Sequence, residues 1–347
     1  MAGRAESPSV FRAGAAGDAA MITKLSIANF KSVRQLDIDC KKVNLFIGEP
    51  NTGKSNILEA LALLSWCGHP ADEPLPGFVR FQTLPNLFYD QLLDQEIAVT
   101  ASLSDQSRPR LHVAVKSDGS DFLFHEEDNA LRFLTYEGHS VERPSVIFSK
   151  MPIRFFRFRD SLVYDDREPG ALKPPNGANL FSVVFGSSDL RGLMGEFFQK
   201  YGLKLVLRPQ DRVFEVQRQA DDLVFSFPYS LVSDTLRRII FYTVAIASNK
   251  DSVLVFEEPE SNAFPYYTKY LGERIALDET NQFFIATHNP YLLSAVIEKA
   301  PQDAVQVFIT YFEDYQTKVK PLTGEQVSDL MEADPFFNLD RFLEGEK

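Results

Sequence analysis

Two glycines five positions apart, Gly48 and Gly53, are followed directly by Lys54 and Ser55 in the stretch FIGEPNTGKSN. Glycine lets a loop curl until successive backbone N–H groups face a common centre, and the N-terminus of a following helix adds about half a positive charge. An ammonium and a hydroxyl at the end of such a loop complete a cradle for a phosphate chain and its metal, the pattern G-x-x-x-x-G-K-[ST]. Gly48, Glu49, Pro50, Asn51, Thr52, Gly53, Lys54, Ser55 and Asn56 are therefore candidate nucleotide-binding residues. In this reading Lys54 reaches the β and γ phosphates and the Ser55 hydroxyl ligates Mg²⁺.

Two later stretches could supply the remaining chemistry. SVLVFEEPE ends an apolar run on Glu257 and Glu258. Glu257 is placed to hold the Mg²⁺ shell through water, and Glu258 to polarise an attacking water as general base. NQFFIATHNP ends another apolar run on Thr287 and His288, where a neutral imidazole could hydrogen-bond a γ-phosphate and the water beside it. The stretch SNKDS is similar to a guanine-reading N-K-x-D, but Ser252 stands where the carboxylate is needed, so adenine fits better than guanine.

The elements that must carry these residues can be read from periodicity. ITKLSIANF, QLDIDC and VNLFIG read as strands, and after Lys54 the apolar residues Ile57, Leu58, Leu61 and Leu64 fall on one helix face. From about Cys67 to Pro228, EIAVTASLS, RLHVAVKS, DFLFHEE, VIFSK and IRFFRF suggest alternating, antiparallel strands, and LKPPNGANLFSVVF a turn into a helix. Beyond Ser233 strand and helix alternate, with a strand pair VQVFITYF and TKVKPL before a helical tail. The expected fold is α/β, a P-loop NTPase with a largely parallel core sheet and a β-rich antiparallel lobe. Residues 1–20 read as a disordered tail, with Met21 as a candidate start. Residues 21–347 read as one domain, divided into a phosphate-loop part (21–66), a β-rich and helical insertion (67–228) and an acid- and histidine-bearing part (229–347).

Bulk properties limit the rest. The 347 residues are 44% hydrophobic with a net charge of −12, enough for a large core and unsuited to a surface that binds nucleic acid or membrane all over. Two cysteines are too few for a disulfide framework, which with the lack of a signal or spanning segment leads to the expectation of a cytoplasmic protein. One local exception is IRFFRFRD, where Arg154, Arg157 and Arg159 interleave with aromatics, either as a strand with a buried aromatic face and a solvated cationic one or as a candidate DNA-binding patch.

NFKS, GEPNTGKS, YSLVSDTLRR, LVFEEPE and ATHNP occur in the order found in ABC-type ATPases. Together they resemble the RecF/SMC/OLD-like branch of AAA ATPases from Met21 almost to the end of the chain. The resemblance implies an ATPase with ATP and Mg²⁺ as cofactors, working as a homodimer in which two heads sandwich two ATP molecules. It implies that Lys31 and Ser32 lie beside the ribose and phosphates. Ser230, Ser233, Asp234 and Thr235 fall at the signature segment that faces the opposing γ-phosphate, although the usual signature glycine is missing and Ser233 or Asp234 serves equally as a helix N-cap. Glu260, Ser261 and Asn262 match the segment lining the dimer interface, and Gln82, with Gln91 as the alternative, the glutamine that contacts Mg²⁺. Where the family more often has Asp, this chain has Glu257. No heptad coiled coil and no acidic nuclease segment after His288 are visible, which points to a stand-alone head whose nuclease or effector partner is a separate polypeptide. An alternative is a scaffold or sensor that nucleotide locks with negligible turnover.

Overall fold

The computed structural model describes residues 21–70, 73–105, 109–118, 121–126, 129–142, 151–160, 163–332, 336 and 339–343. The chain opens with a hairpin of β1 (Ile22–Phe30) and β2 (Val33–Asp39), in which alternate residues such as Leu25 and Ile27 are buried. β3 (Val43–Ile47) is buried at every position and leads through the glycine loop into α1 (Lys54–Cys67). Next come β4 (Ile97–Leu103), β5 (Arg110–Asp118), β6 (Asp121–Glu126), β7 (Asn129–Leu134) and β8 (Ser140–Glu142). With the opening hairpin they form an antiparallel sheet of order β2-β1-β4-β5-β6-β7-β8. The lobe is therefore not an insertion alone: the first two strands of the chain are part of it.

β9 (Ile153–Phe156) corrects the antiparallel expectation for IRFFRF. It leaves that lobe and pairs in parallel, at the edge of the central sheet, with the strand Val253–Glu257, and its buried residues Ile153, Phe155 and Phe156 cover both faces, as a sheet covered on both sides requires. The stretch VIFSK lies outside the described residues. α2 (Leu180–Gly186) and α3 (Ser188–Gln199) follow, then a meander of β10 (Leu203–Arg208), β11 (Val213–Ala220) and β12 (Leu223–Pro228). Neither α3 nor this three-stranded sheet was anticipated, the latter because β12 is exposed at all six positions and so lacks a burial pattern. α4 (Asp234–Ser248), β13 (Val253–Glu257), α5 (Pro265–Ala276), β14 (Gln282–Ala286), α6 (Pro290–Lys299), β15 (Val305–Glu313), β16 (Gln316–Pro321), α7 (Gly324–Glu332) and α8 (Asp340–Leu343) complete the chain.

The central sheet has the order β16-β15-β3-β14-β13-β9, parallel except for the β15–β16 pair. Its two faces feed two cores. Val253, Val255 and Phe284 point to one, shared with α1 and the antiparallel lobe; Leu254, Phe256 and Ile285 point to the other, shared with α2 to α7. α1 is thus clamped between two sheets and buried on nearly every side, where the sequence suggested one apolar face. A helix apolar all round has to be enclosed in this way. This layering brings the C-terminal ends of β3, β13 and β14 side by side, the end of a parallel sheet where ligands bind.

Candidate functional site

The loop after β3 is held by close approaches that only glycine permits. A Cβ at Gly48, at φ 147°, would meet the Thr310 carbonyl oxygen at 2.2 Å, and one at Gly53, at φ 95°, the Thr317 hydroxyl at 1.9 Å. Thr317 also donates its hydroxyl to the Thr52 carbonyl at 3.0 Å, so β16 braces the loop from behind. Lys54 is buried and its Nζ donates to the carbonyls of Gly48 (2.9 Å) and Glu49 (2.6 Å). Burial lowers its pKa to about 8 against the opposing charges of Glu258 and Glu49. Glu49, Pro50 and Asn51 are exposed, Asn51 in the left-handed region at φ 63°.

Ser32 and Asn56 meet beside this loop, next to Thr317. The Ser32 hydroxyl sits 2.6 Å from that of Thr317 and accepts from Asn56 Nδ2 at 2.6 Å. Lys31 precedes Ser32 in the turn of the opening hairpin. Its ammonium is turned to the carboxylate of Glu59 and donates to the Arg80 carbonyl at 2.6 Å, and burial lowers its pKa despite Glu59.

Glu59, in the second turn of α1, was not singled out from the sequence, yet it organises this half of the site. Its side chain is fully buried and accepts from Lys31, from Arg80 Nε at 2.7 Å and from Arg157 at 3.0 Å. The same two arginines grip Glu257 at the end of β13: Arg80 donates to Oε1 at 2.9 Å and Arg157 to Oε2 at 2.8 Å. Burial alone would raise the Glu257 pKa; Arg157, Arg80 and a hydrogen bond from Ser55 outweigh it and hold the carboxyl below its ordinary value. A lone acid one helical turn past Ser55, in the otherwise apolar run ILEALALL, was the signal available for Glu59.

Arg157 therefore corrects the candidate DNA patch. It stacks over Phe155 at 5.0 Å and points into the acid cluster, while Arg154 is mostly buried and its Nε has no hydrogen-bond partner. With two of the three guanidiniums turned inward, the segment presents no continuous cationic face. Gln82 is exposed on the turn just beyond Arg80, and Gln91 is also exposed; the residue of this segment that reaches Glu257 is Arg80.

On the other side of Glu257 the chain turns sharply. Glu258 adopts φ 42°, a costly conformation for a residue with a Cβ, while its N–H bonds to the Ala286 carbonyl at 3.0 Å. The turn places the Glu258 carboxylate 3.4 Å from His288 Nε2 and lets it accept from the Ser261 hydroxyl at 3.0 Å. Burial and the charge of Lys54 lower the His288 pKa, against Glu258, which favours the neutral imidazole. Glu260 corrects the expectation of an interface residue: it is 4% exposed, and accepts from the Thr287 hydroxyl beneath His288. Of that segment Asn262 is exposed, its carbonyl accepting from Thr235 at 2.6 Å. Ser230 and Ser233 are exposed, and Ser233 caps α4 by accepting from the Leu236 N–H at 3.4 Å.

Residues 21–74 match the family model for an AAA ATPase domain, and residues 178–294 the model for an AAA domain described as putative AbiEii toxin, Type IV TA system. Among solved structures, the chain is similar to an SMC head bound to the C-terminal winged-helix domain of ScpA. They share 14% identity with a TM-score of 0.54, over 89% of this chain and 99% of that one. A second is an SMC head with an extended coiled coil bound to the C-terminal domain of ScpA derived from Pyrococcus furiosus, at 13% identity and TM-score 0.54, over 90% and 99% of the two chains. No curated protein matches. In fold the chain is similar to SMC heads, and its two matched segments are similar to AAA ATPase domains. Among the described residues no helix is long and apolar enough to cross a membrane.

Proposed function

We propose that this head binds ATP with Mg²⁺ at the loop after β3 and hydrolyses it, with a second copy of the chain closing over the nucleotide. The observation that carries the reading is the meeting of three strand ends: Ser55 bonded to Glu257 on one side of the loop lysine, and Glu258 paired with His288 at 3.4 Å on the other. Mg²⁺ takes oxygen ligands and keeps several waters beside substrate phosphates. The donor set fits that habit: the Ser55 hydroxyl and the carboxylate of Glu257, whose two oxygens are engaged by arginines, would be the groups that hold the ion. The ion would supply charge neutralisation of the phosphates.

The chain's own residues do the rest. Lys54 exchanges the loop carbonyls it now contacts for phosphate oxygens. Glu258 accepts a proton from the attacking water, and neutral His288 donates or accepts a hydrogen bond beside it to fix the water's direction. The exposed Ser230 and Ser233, at the start of α4, are the residues offered to the partner copy's nucleotide, with Asn262 adjacent. Such a dimer would control a separate nuclease or another effector polypeptide, and co-purification with this chain would identify it.

A second reading, a nucleotide-locked scaffold with negligible turnover, draws on one feature: two arginines already neutralise the acid nearest the metal position. Glu258→Gln separates the two. Under the hydrolysis reading the variant loses about 100-fold or more of the steady-state rate, and ATP-bound dimers accumulate on size exclusion. A wild-type protein that binds ATP without turning it over supports the scaffold instead.

A further inference from the structure

The turn after β13 carries two acids that do different things. Glu258 faces outward to His288, whereas Glu260, two residues on, folds back under the end of β14. There its Oε1 accepts from the hydroxyl of Thr287, a residue with no exposed surface, and the same Thr287 oxygen accepts from the Asn289 N–H at 3.0 Å. The main-chain N–H of His288 lies within reach of the Glu260 carboxyl, and the Thr287 N–H bonds to the Phe46 carbonyl at 3.1 Å, just before Gly48. His288 is thus tied twice to one short turn, by its ring through Glu258 and by its backbone through Glu260. The second oxygen of Glu260 is buried with no hydrogen-bond partner among the described residues, an arrangement that costs stability. A residue serving packing alone would be better replaced by an apolar side chain, and such local violations mark functional positions.

We propose that Glu260 is a positioning residue that holds Thr287 and the His288 backbone in place, so that the imidazole keeps its register with Glu258; this rests on the hydrolysis reading of the same site. A ring held only by its outer contact can swing about the end of β14, and a displacement of about 1 Å can cost up to 100-fold in rate.

The test compares full-length wild type with Glu260→Ala, Thr287→Val and Glu260→Gln in three measurements: steady-state ATP hydrolysis, binding of a fluorescent ATP analogue, and thermal melting. Glu260→Ala and Thr287→Val are expected to lower kcat about 10-fold or more with analogue affinity within about twofold, the split that marks an interaction used in the transition state. Glu260→Gln, whose amide oxygen still accepts from Thr287, restores most of the rate. Should Glu260→Ala melt too low to assay, Thr287→Val and Glu260→Gln decide. Wild-type kcat in Thr287→Val, or a Glu260→Gln variant as slow as Thr287→Val, overturns the positioning role while leaving the hydrolysis reading intact. A wild type without turnover removes that reading and this role with it.

Discussion

Glu59 and Glu260 are both buried carboxylates, 0% and 4% exposed, yet they are kept in different ways. Glu59 is met by three cations, Lys31, Arg80 and Arg157, and the two arginines extend to Glu257. Among the described residues no arginine or lysine bonds Glu260; its Oε1 accepts from the Thr287 hydroxyl, the main-chain N–H of His288 lies close by, and burial pushes its pKa up to about 7. One cluster offsets the desolvation of charge with opposite charge, the other by leaving the acid close to neutrality. The difference follows the proposed tasks. Beside the metal position a fixed, ionised Glu257 is useful, whereas beside His288 an extra permanent charge would compete with Glu258 for the imidazole.

The comparison breaks most visibly at Glu59. Glu59→Ala leaves three cations without their buried partner and is expected to cost about 3–5 kcal/mol of stability, measured by denaturant unfolding. Glu260→Ala, which strands no charge, should cost about 1–3 kcal/mol. A larger loss at Glu260 than at Glu59 would reverse the assignment of the two clusters.

A second, smaller effect is the pH response. An acid whose folded pKa lies above its unfolded value stabilises the fold while protonated, and that contribution is lost as pH rises between the two values. For Glu260 the window runs from about 4.5 to about 7, faced by Glu258, which raises the pKa, and by Thr287 and the His288 N–H, which lower it. The expected loss across the window is on the order of 2–3 kcal/mol. Glu260→Gln should flatten it, and melting curves taken through this range that fall equally in both proteins would contradict the raised pKa of this acid. Glu257 has the opposite sign: its pKa is depressed by Arg157 and Arg80, so its contribution is present at neutral pH and lost on acidification.

The smallest effect sharpens the arginine cluster itself. The Arg80 side chain is 58% exposed and that of Arg157 17%. Arg80→Ala should therefore cost under about 1 kcal/mol and fade in high salt. Arg157→Ala should cost more and respond little to salt; equal, salt-sensitive losses in unfolding titrations would show both guanidiniums to be surface groups.

The order of the chemistry along the chain was legible because it is local. An apolar run ending on a glycine loop, on Glu257–Glu258 or on Thr287–His288 is a strand ending on a candidate functional group, and period and punctuation suffice to see it. The parallel core and the antiparallel lobe followed from the same patterns. The sequence did not show that β9 belongs to the parallel sheet, that Arg157 leaves the surface to grip Glu257 100 residues away, or that Glu260 is inside and Asn262 outside. Residue type and spacing determined which groups could act on a triphosphate. Only the packing of distant segments decided which acids meet a cation and which meet a hydroxyl, because the ionisation of a buried group is set by neighbours that the chain brings together only on folding.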